Sequence, residues 1–304
     1  MRRCRAITGA TALEMTSEPL GMLLTICAVA AVTFAAAFHI HQFGEPSRMA
    51  RDAGFSVVLV GSSAYAVFCT IRAFRRELES GTLQMALSHP VSRTAFFVSK
   101  TLGAFLASCM FTATVFCAAA VAAVGAEAGW AIAAPTGDVS RIWGVSLSLN
   151  AATMVLPLVV GAVLNRFFRF RFAASAVRVA LAVSVVGVVA AAALARAWGL
   201  VPGAFGLVRR MLPVAFAAAV PSAVFTAAAA AFSVKMRDGA AAGASGVLAL
   251  ASVPALGNYY LSDTLANGGS LAWSHAVVAA VASIPFVAGF LILGSAFLKG
   301  RDLG

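Results

Sequence analysis

The stretch TLGAFLASCMFTATVFCAAAVAAVGA, residues 101–126, contains 26 consecutive residues without a charge. A helix needs about 20 apolar residues to cross the hydrocarbon core of a bilayer, which is about 30 Å thick. Lipid offers no hydrogen-bond partner to the backbone, so a segment of this length and composition crosses the membrane as a helix. The stretch therefore predicts a transmembrane helix.

Similar uncharged runs fill most of the remaining chain. Of the 304 residues, 61% are hydrophobic and 11% are charged, whereas about 25% are charged in a typical soluble domain. The sequence predicts an all-α, polytopic helical membrane protein with about eight transmembrane helices, six being possible. The runs are 19–38, 53–71, 101–126, 142–165, 179–195, 211–234, 239–262 and 264–298.

The distribution of positive charge predicts the orientation. With eight spans and a cytoplasmic N-terminus, 16 of the 22 Lys and Arg residues fall on the cytoplasmic side, as the positive-inside rule requires. Trp and Tyr prefer the headgroup level of a membrane, and here they fall at the predicted outer ends of spans, which supports the same orientation. These are Trp130, Trp143, Trp198, Tyr259, Tyr260 and Trp273. We expect both termini to face the cytoplasm.

One predicted outer loop is unusually basic. The loop 195–211 carries Arg196, Arg209 and Arg210. If the short run 179–195 and part of the next run formed a re-entrant hairpin, the number of spans would fall to six. Both termini would still face the cytoplasm.

No soluble domain is expected beside the spans. The residues outside the runs are divided among short loops and tails, so the chain is predicted to be one transmembrane domain, 1–304. The N-terminal residues predict a short interfacial helix before a retained first span, because Glu14 and Glu18 and the long run are unlike a signal peptide. The net charge of +11 is typical of loops facing anionic lipid, and we expect no nucleic-acid partner.

Metal and ion-coupling chemistry has little support in the sequence. His39 and His41 could bind a metal, but no third ligand lies nearby, and the five cysteines form no metal-binding or disulfide pattern. All eleven acidic residues lie outside the uncharged runs, which disfavours an ion-coupled secondary transporter. An ion-coupled secondary transporter, or another kind of polytopic membrane protein, remains the alternative. The lack of buried charge favours a lipid-like or amphipathic cargo.

The longest predicted cytoplasmic segment is residues 72–100, RAFRRELESGTLQMALSHPVSRTAFFVSK. Phe74, Leu78 and Met85 recur at helical spacing among charged residues, which predicts an amphipathic helix at the membrane surface. Pro90 ends this helix, and Ser92 is placed to cap the next one. From the pattern alone, the helix could simply rest on lipid.

Three motifs in this segment resemble those of a known family. The motifs ELESGTL (77–83), LSHPVSR (87–93) and KTLG (100–103), with the ending FLKGRDL (297–303), are similar to the signature of type-2 ABC transporter permeases. Ser99 stands where many members have glycine. The eight predicted spans exceed the six that are usual in the family.

The resemblance implies a permease subunit, an exporter, that dimerises with an identical or different chain and is driven by a separate ATP-binding cassette ATPase. No G-x-x-x-x-G-K-[ST] phosphate loop is present, so we expect no enzyme activity and no cofactor in this chain, with ATP and Mg bound by the partner. We expect a multi-pass location in the bacterial cytoplasmic membrane. The family's coupling helix, which contacts the ATPase, falls on Phe74, Glu77, Leu78, Glu79, Gly81, Thr82, Leu83, Pro90 and Arg93.

Overall fold

The computed structural model describes residues 2–37, 46–79, 92–130, 139–236, 240–241, 244–245 and 273–300. Within these ranges the chain is all-helical, which confirms the predicted fold class. The eight helices of at least 15 residues are α1 (Arg2–Thr16), α2 (Pro19–Ala37), α3 (Pro46–Glu79), α4 (Arg93–Trp130), α5 (Val139–Phe168), α6 (Phe172–Ala197), α7 (Ala204–Lys235) and α8 (Trp273–Lys299).

The helices α3 to α8 are each long and apolar enough to cross a membrane, which makes six candidate spans among the described residues. A seventh candidate is the pair α1 and α2, which meet at a bend of 63°. The predicted short N-terminal helix is therefore present as a helix distinct from the first apolar run. The predicted span 239–262 lies almost entirely outside the described residues, so the total of eight stays a prediction.

Helices α7 and α8 run parallel. The Lys235 ammonium near the end of α7 lies 4.8 Å from the ring centroid of Phe297, near the end of α8. Phe216 in α7 contacts Trp273, the first residue of α8, with ring centroids 6.2 Å apart. Because both helices end at the same side, the start of α8 lies on the opposite side from the end of α7. The predicted span 239–262 lies between these two points in the sequence.

The basic loop between α6 and α7 joins helices of 26 and 32 residues. Each of them is long and apolar enough to cross a membrane. This favours two full spans over the re-entrant hairpin. Helix α6 begins at Phe172, seven residues before the apolar run 179–195. The helix includes Arg178, whose side chain is exposed on its surface.

Helix α4 is the centre of the bundle. It contacts each of the other seven helices, and its most apolar stretch is more buried than that of any other candidate span. Residues 118–126 are all buried, so this part of α4 is covered on every side. Most of these residues are alanine, which allows neighbouring helices to approach closely.

Two glycines show how close these approaches are. A Cβ atom added at Gly103 of α4 would lie 2.6 Å from the backbone oxygen of Thr8 in α1. At Gly125 it would collide with the side chain of Ser146 in α5. Glycine is therefore required at both helix crossings. Elsewhere in the core, the rings of Tyr65 and Phe111 stack with centroids 4.6 Å apart and join α3 to α4.

Candidate functional site

The predicted coupling segment 72–100 connects α3 to α4, and we call this side of the bundle the α3–α4 end. The structure describes its flanks, residues 72–79 and 92–100. The predicted contact residues Gly81, Thr82, Leu83 and Pro90 lie outside the described residues. Glu79 is the last residue of α3, and its side chain is not described.

Residues 72–79 form the final two turns of α3 and not the start of a separate surface helix. The rest of the predicted surface helix, residues 80–89, lies outside the described residues. The reason for the difference is that an amphipathic surface helix and the end of a packed span share the same periodicity. Phe74 is 4% exposed and packs against Phe97 of α4, with ring centroids 5.3 Å apart. Leu78 is partly buried against the same core.

A buried ion pair joins the two flanks of the segment. The Nζ atom of Lys100 lies 2.5 Å from Oε1 of Glu77. The Lys100 side chain is completely buried, and its ammonium lies 5.5 Å from the centroid of the Phe74 ring and 5.9 Å from that of Phe96. These aromatic faces add a cation–π contribution to the pair. Glu77 thus contacts α4 inside the protein.

Lys100 corrects the expectation that no charge is buried in the bundle. The sequence places this lysine at a boundary between apolar residues and a loop, where its charge would ordinarily be hydrated. The structure instead encloses it between α3 and α4. A buried ammonium is costly unless it is paired, and Glu77 supplies the compensating charge.

A second set of charges joins the α1–α2 corner to α3. The carboxylate of Glu18, which is 8% exposed as a residue, lies 3.5 Å from both Arg72 and Arg76. Glu14 lies 3.5 Å from Arg76. Sequence reasoning did not find this contact. The available signal was the spacing of Arg72 and Arg76, four residues apart and so on one face of α3.

Arg93, another predicted contact residue, begins α4 and lies next to the end of α8. Its Nη1 atom donates hydrogen bonds to the backbone oxygens of Leu298, at 3.4 Å, and Lys299, at 3.1 Å. Carbonyl groups at a helix C-terminus lack partners within the helix, and a cation there is favourable. The predicted cap is confirmed, because Ser92 Oγ accepts a hydrogen bond from the backbone N–H of Ala95 at 3.2 Å.

The N-terminal helix α1 also reaches this end of the bundle. Thr8 of α1 donates a hydrogen bond of 3.0 Å to the backbone oxygen of Ser99 in α4. An open cavity of about 510 Å³ lies beside the end of α8. It is lined by Arg75, Val234, Lys235, Met236, Ala296, Phe297 and Gly300. The ends of α3, α7 and α8 thus surround a basic cavity.

The described residues contain no group of three His, Cys, Asp or Glu side chains that could hold a metal ion. The pair His39 and His41, for which no third ligand lies nearby in the sequence, lies outside the described residues. The described residues at the α3–α4 end hold helices together by ion pairing and packing.

The long apolar helices of this bundle are those of a polytopic helical membrane protein. Residues 19–177 match the family model described as ABC-2 family transporter protein. The match covers more than half of the chain and includes segment 72–100, so the chain belongs to this family and is an ABC transporter permease. Comparison with curated proteins and with solved structures finds no match.

Proposed function

We propose that this chain is the membrane-spanning subunit of an ATP-driven exporter and that a separate ATP-binding cassette ATPase docks on residues 80–93 at the α3–α4 end. The ATPase binds ATP and Mg, and the permease works as a dimer. The α3–α4 end faces the cytoplasm of a bacterial cell, so both termini do as well. The family match over residues 19–177 is the observation that carries this proposal.

The geometry supports docking at this position. Residues 80–91 are bordered by Glu77 on one side and Lys100 on the other, and these two side chains form the buried ion pair. A force applied to the segment therefore acts on α3 and α4 together. Since α4 contacts each of the other described helices, movement at this end can reach the whole bundle.

A segment that only rests on lipid would not need flanks that are fixed to the rest of the protein. A helix that rests on lipid needs only an apolar face and polar flanks. Here the flanks are fixed by buried Phe74 and Lys100 and by the contact of Arg93 with α8. The segment is thus attached at both ends to rigid parts of the protein, as a contact that transmits movement requires.

The proposed cargo is lipid-like or amphipathic. The polar groups buried in the spans are mostly Ser and Thr, and many of their hydroxyl groups donate to backbone oxygens of their own helix. The charged Lys100 is already paired with Glu77. Among the described residues, few buried groups remain to compensate a strongly hydrophilic cargo. Export, as the direction of transport, rests on the resemblance to type-2 permeases.

The test is affinity purification of the tagged permease from its native host, followed by identification of any cassette ATPase recovered with it. We expect both proteins to be recovered in a two-plus-two assembly. We also expect ATP hydrolysis only when the ATPase is present. ATP turnover by the isolated permease, or failure to recover any cassette ATPase, would refute the proposal.

A further inference from the structure

The turn between α5 and α6 exposes alternating aromatic and cationic side chains, NRFFRFR at residues 165–171. Phe167, Phe168 and Phe170 are 75%, 65% and 56% exposed. Arg166, Arg169 and Arg171 are exposed as well. Three neighbouring phenyl rings facing water would be unfavourable, so this surface requires a partner that is apolar and anionic.

The turn has a defined conformation. Asn165 Nδ2 donates a 2.7 Å hydrogen bond to the backbone oxygen of Phe170. Arg169 has a φ of 55°, in the left-handed region that residues other than glycine rarely adopt. The rings of Phe168 and Phe170 stack with centroids 6.2 Å apart. The aromatic and cationic groups are therefore presented in a fixed arrangement.

Its positive charge is not compensated within the described part of the chain. Arg166 lies in the last turn of α5, where a cation is favourable, but Arg169 and Arg171 precede the N-terminus of α6, where it is not. The first turn of α6 contains no acidic residue. Glu14 and Glu18 form ion pairs with arginines of α3 and not with this turn.

The turn lies at the level of a membrane surface. The exposed aliphatic residues of α5 extend from Leu147 to Val163. At 1.5 Å per residue, Leu147 and Arg166 are separated by about 29 Å along the helix, close to the thickness of the hydrocarbon core. The α6 end of the turn also approaches α2, because Met22 and Ala176 line one small cavity. Since α2 begins at the α3–α4 end, the turn lies at that end too.

We propose that this turn binds the phosphate groups of anionic phospholipids in the leaflet at the α3–α4 end. Arg166, Arg169 and Arg171 contact the phosphates, and the three phenylalanines enter the boundary between headgroups and acyl chains. Arg178, exposed in the second turn of α6, extends its side chain to the same layer. This site does not depend on the proposed ATPase partner.

The experiment is native mass spectrometry of the purified protein with phosphatidylglycerol or phosphatidylcholine added at equal concentration. The variant is Arg166→Gln/Arg169→Gln/Arg171→Gln, and the matched control is Arg209→Gln/Arg210→Gln near the start of α7, where both arginines are exposed. Each arginine near an anionic surface contributes a factor of about five in affinity. We therefore expect the triple variant to bind phosphatidylglycerol at least tenfold more weakly, with the control unchanged.

Two additions identify the ligand. Soluble glycerol phosphate should compete poorly, because it lacks the acyl chains that the phenylalanines contact. Recovery of the cassette ATPase should be the same for the triple variant and the unmodified protein. The proposal would be overturned if the control lost phosphatidylglycerol equally or if phosphatidylcholine bound equally well. Full competition by glycerol phosphate would also overturn it. So would loss of the ATPase from the triple variant while its lipid binding stayed intact.

Discussion

Lys100 Nζ lies 2.5 Å from Glu77 Oε1, and this contact joins the two helices on either side of residues 80–91. The lysine is fully buried, whereas the glutamate side chain is 25% exposed. Oε2 of Glu77 is nevertheless buried without a hydrogen-bond partner among the described residues. Removal of either partner therefore leaves a charged group with little access to water.

The ion pair predicts that each single variant is less stable than the unmodified protein. Glu77→Gln leaves Lys100 buried without a counter-charge and should lower the free energy of unfolding by about 3 kcal/mol. Lys100→Met should also lower it, because the Glu77 carboxylate then loses its counter-charge while Oε2 stays buried. The double variant Glu77→Gln/Lys100→Met should be more stable than Glu77→Gln alone.

Thermal unfolding in detergent measures this series, with Lys299→Met at the end of α8 as a control that removes an exposed lysine. If the effects of the two single variants simply add in the double variant, the ion pair does not contribute as described.

The proposed docking segment predicts the effect of Leu83→Asp. If Leu83 fills a groove of the ATPase, an unpaired carboxylate there costs several kcal/mol, so the ATPase should no longer co-purify. Membrane insertion and permease dimerisation should persist. The control Asp263→Ala, on the predicted outer side, should leave docking intact. Normal recovery and coupling of the ATPase with Leu83→Asp would mean that the segment only rests on lipid.

The close approach of α1 to Gly103 predicts that a larger residue at position 103 will loosen α1. Gly103→Ala places a methyl group against the backbone of Thr8, which cannot move without displacing α1. We expect a loss of about 1–3 kcal/mol in stability and faster proteolysis within residues 2–16. Gly144→Ala is the matched control, because nothing lies within 4 Å of the added methyl group. Equal effects of the two substitutions would contradict the observed packing.

Arg93 predicts a local change at the end of α8. Arg93→Gln removes charged donors to the Leu298 and Lys299 carbonyls and should cost about 1–2 kcal/mol. Hydrogen exchange should accelerate in the last turn of α8 but not in its first turn, near Trp273. Uniform exchange along α8 in both proteins would show that the contact does not hold this end.

The predicted topology is tested by single cysteines in a variant without the native ones. A cysteine at Asn267 should react with an impermeant thiol reagent in intact cells. A cysteine at Gly304 should react only after lysis. The reverse labelling would invert the orientation and move the α3–α4 end to the outer side.

Much of the architecture could be predicted from hydropathy, because lipid imposes the same length and composition on every span. The motifs in residues 77–103 were sufficient to recognise the family. Hydropathy does not show which helix faces which, so the contact of Glu18 with Arg72 and Arg76 was missed. It also treats every lysine as hydrated, and Lys100 was therefore assigned to a boundary when its counter-charge, Glu77, allows complete burial.

The enclosure of residues 118–126 in α4 has a consequence for evolutionary variation. Every one of these side chains is surrounded, so a larger residue at any of them must displace a neighbouring helix. Helices α5 and α8 have far more exposed surface. We expect relatives with different cargoes to diverge mainly in α5 and α8, while the middle of α4 keeps its small residues.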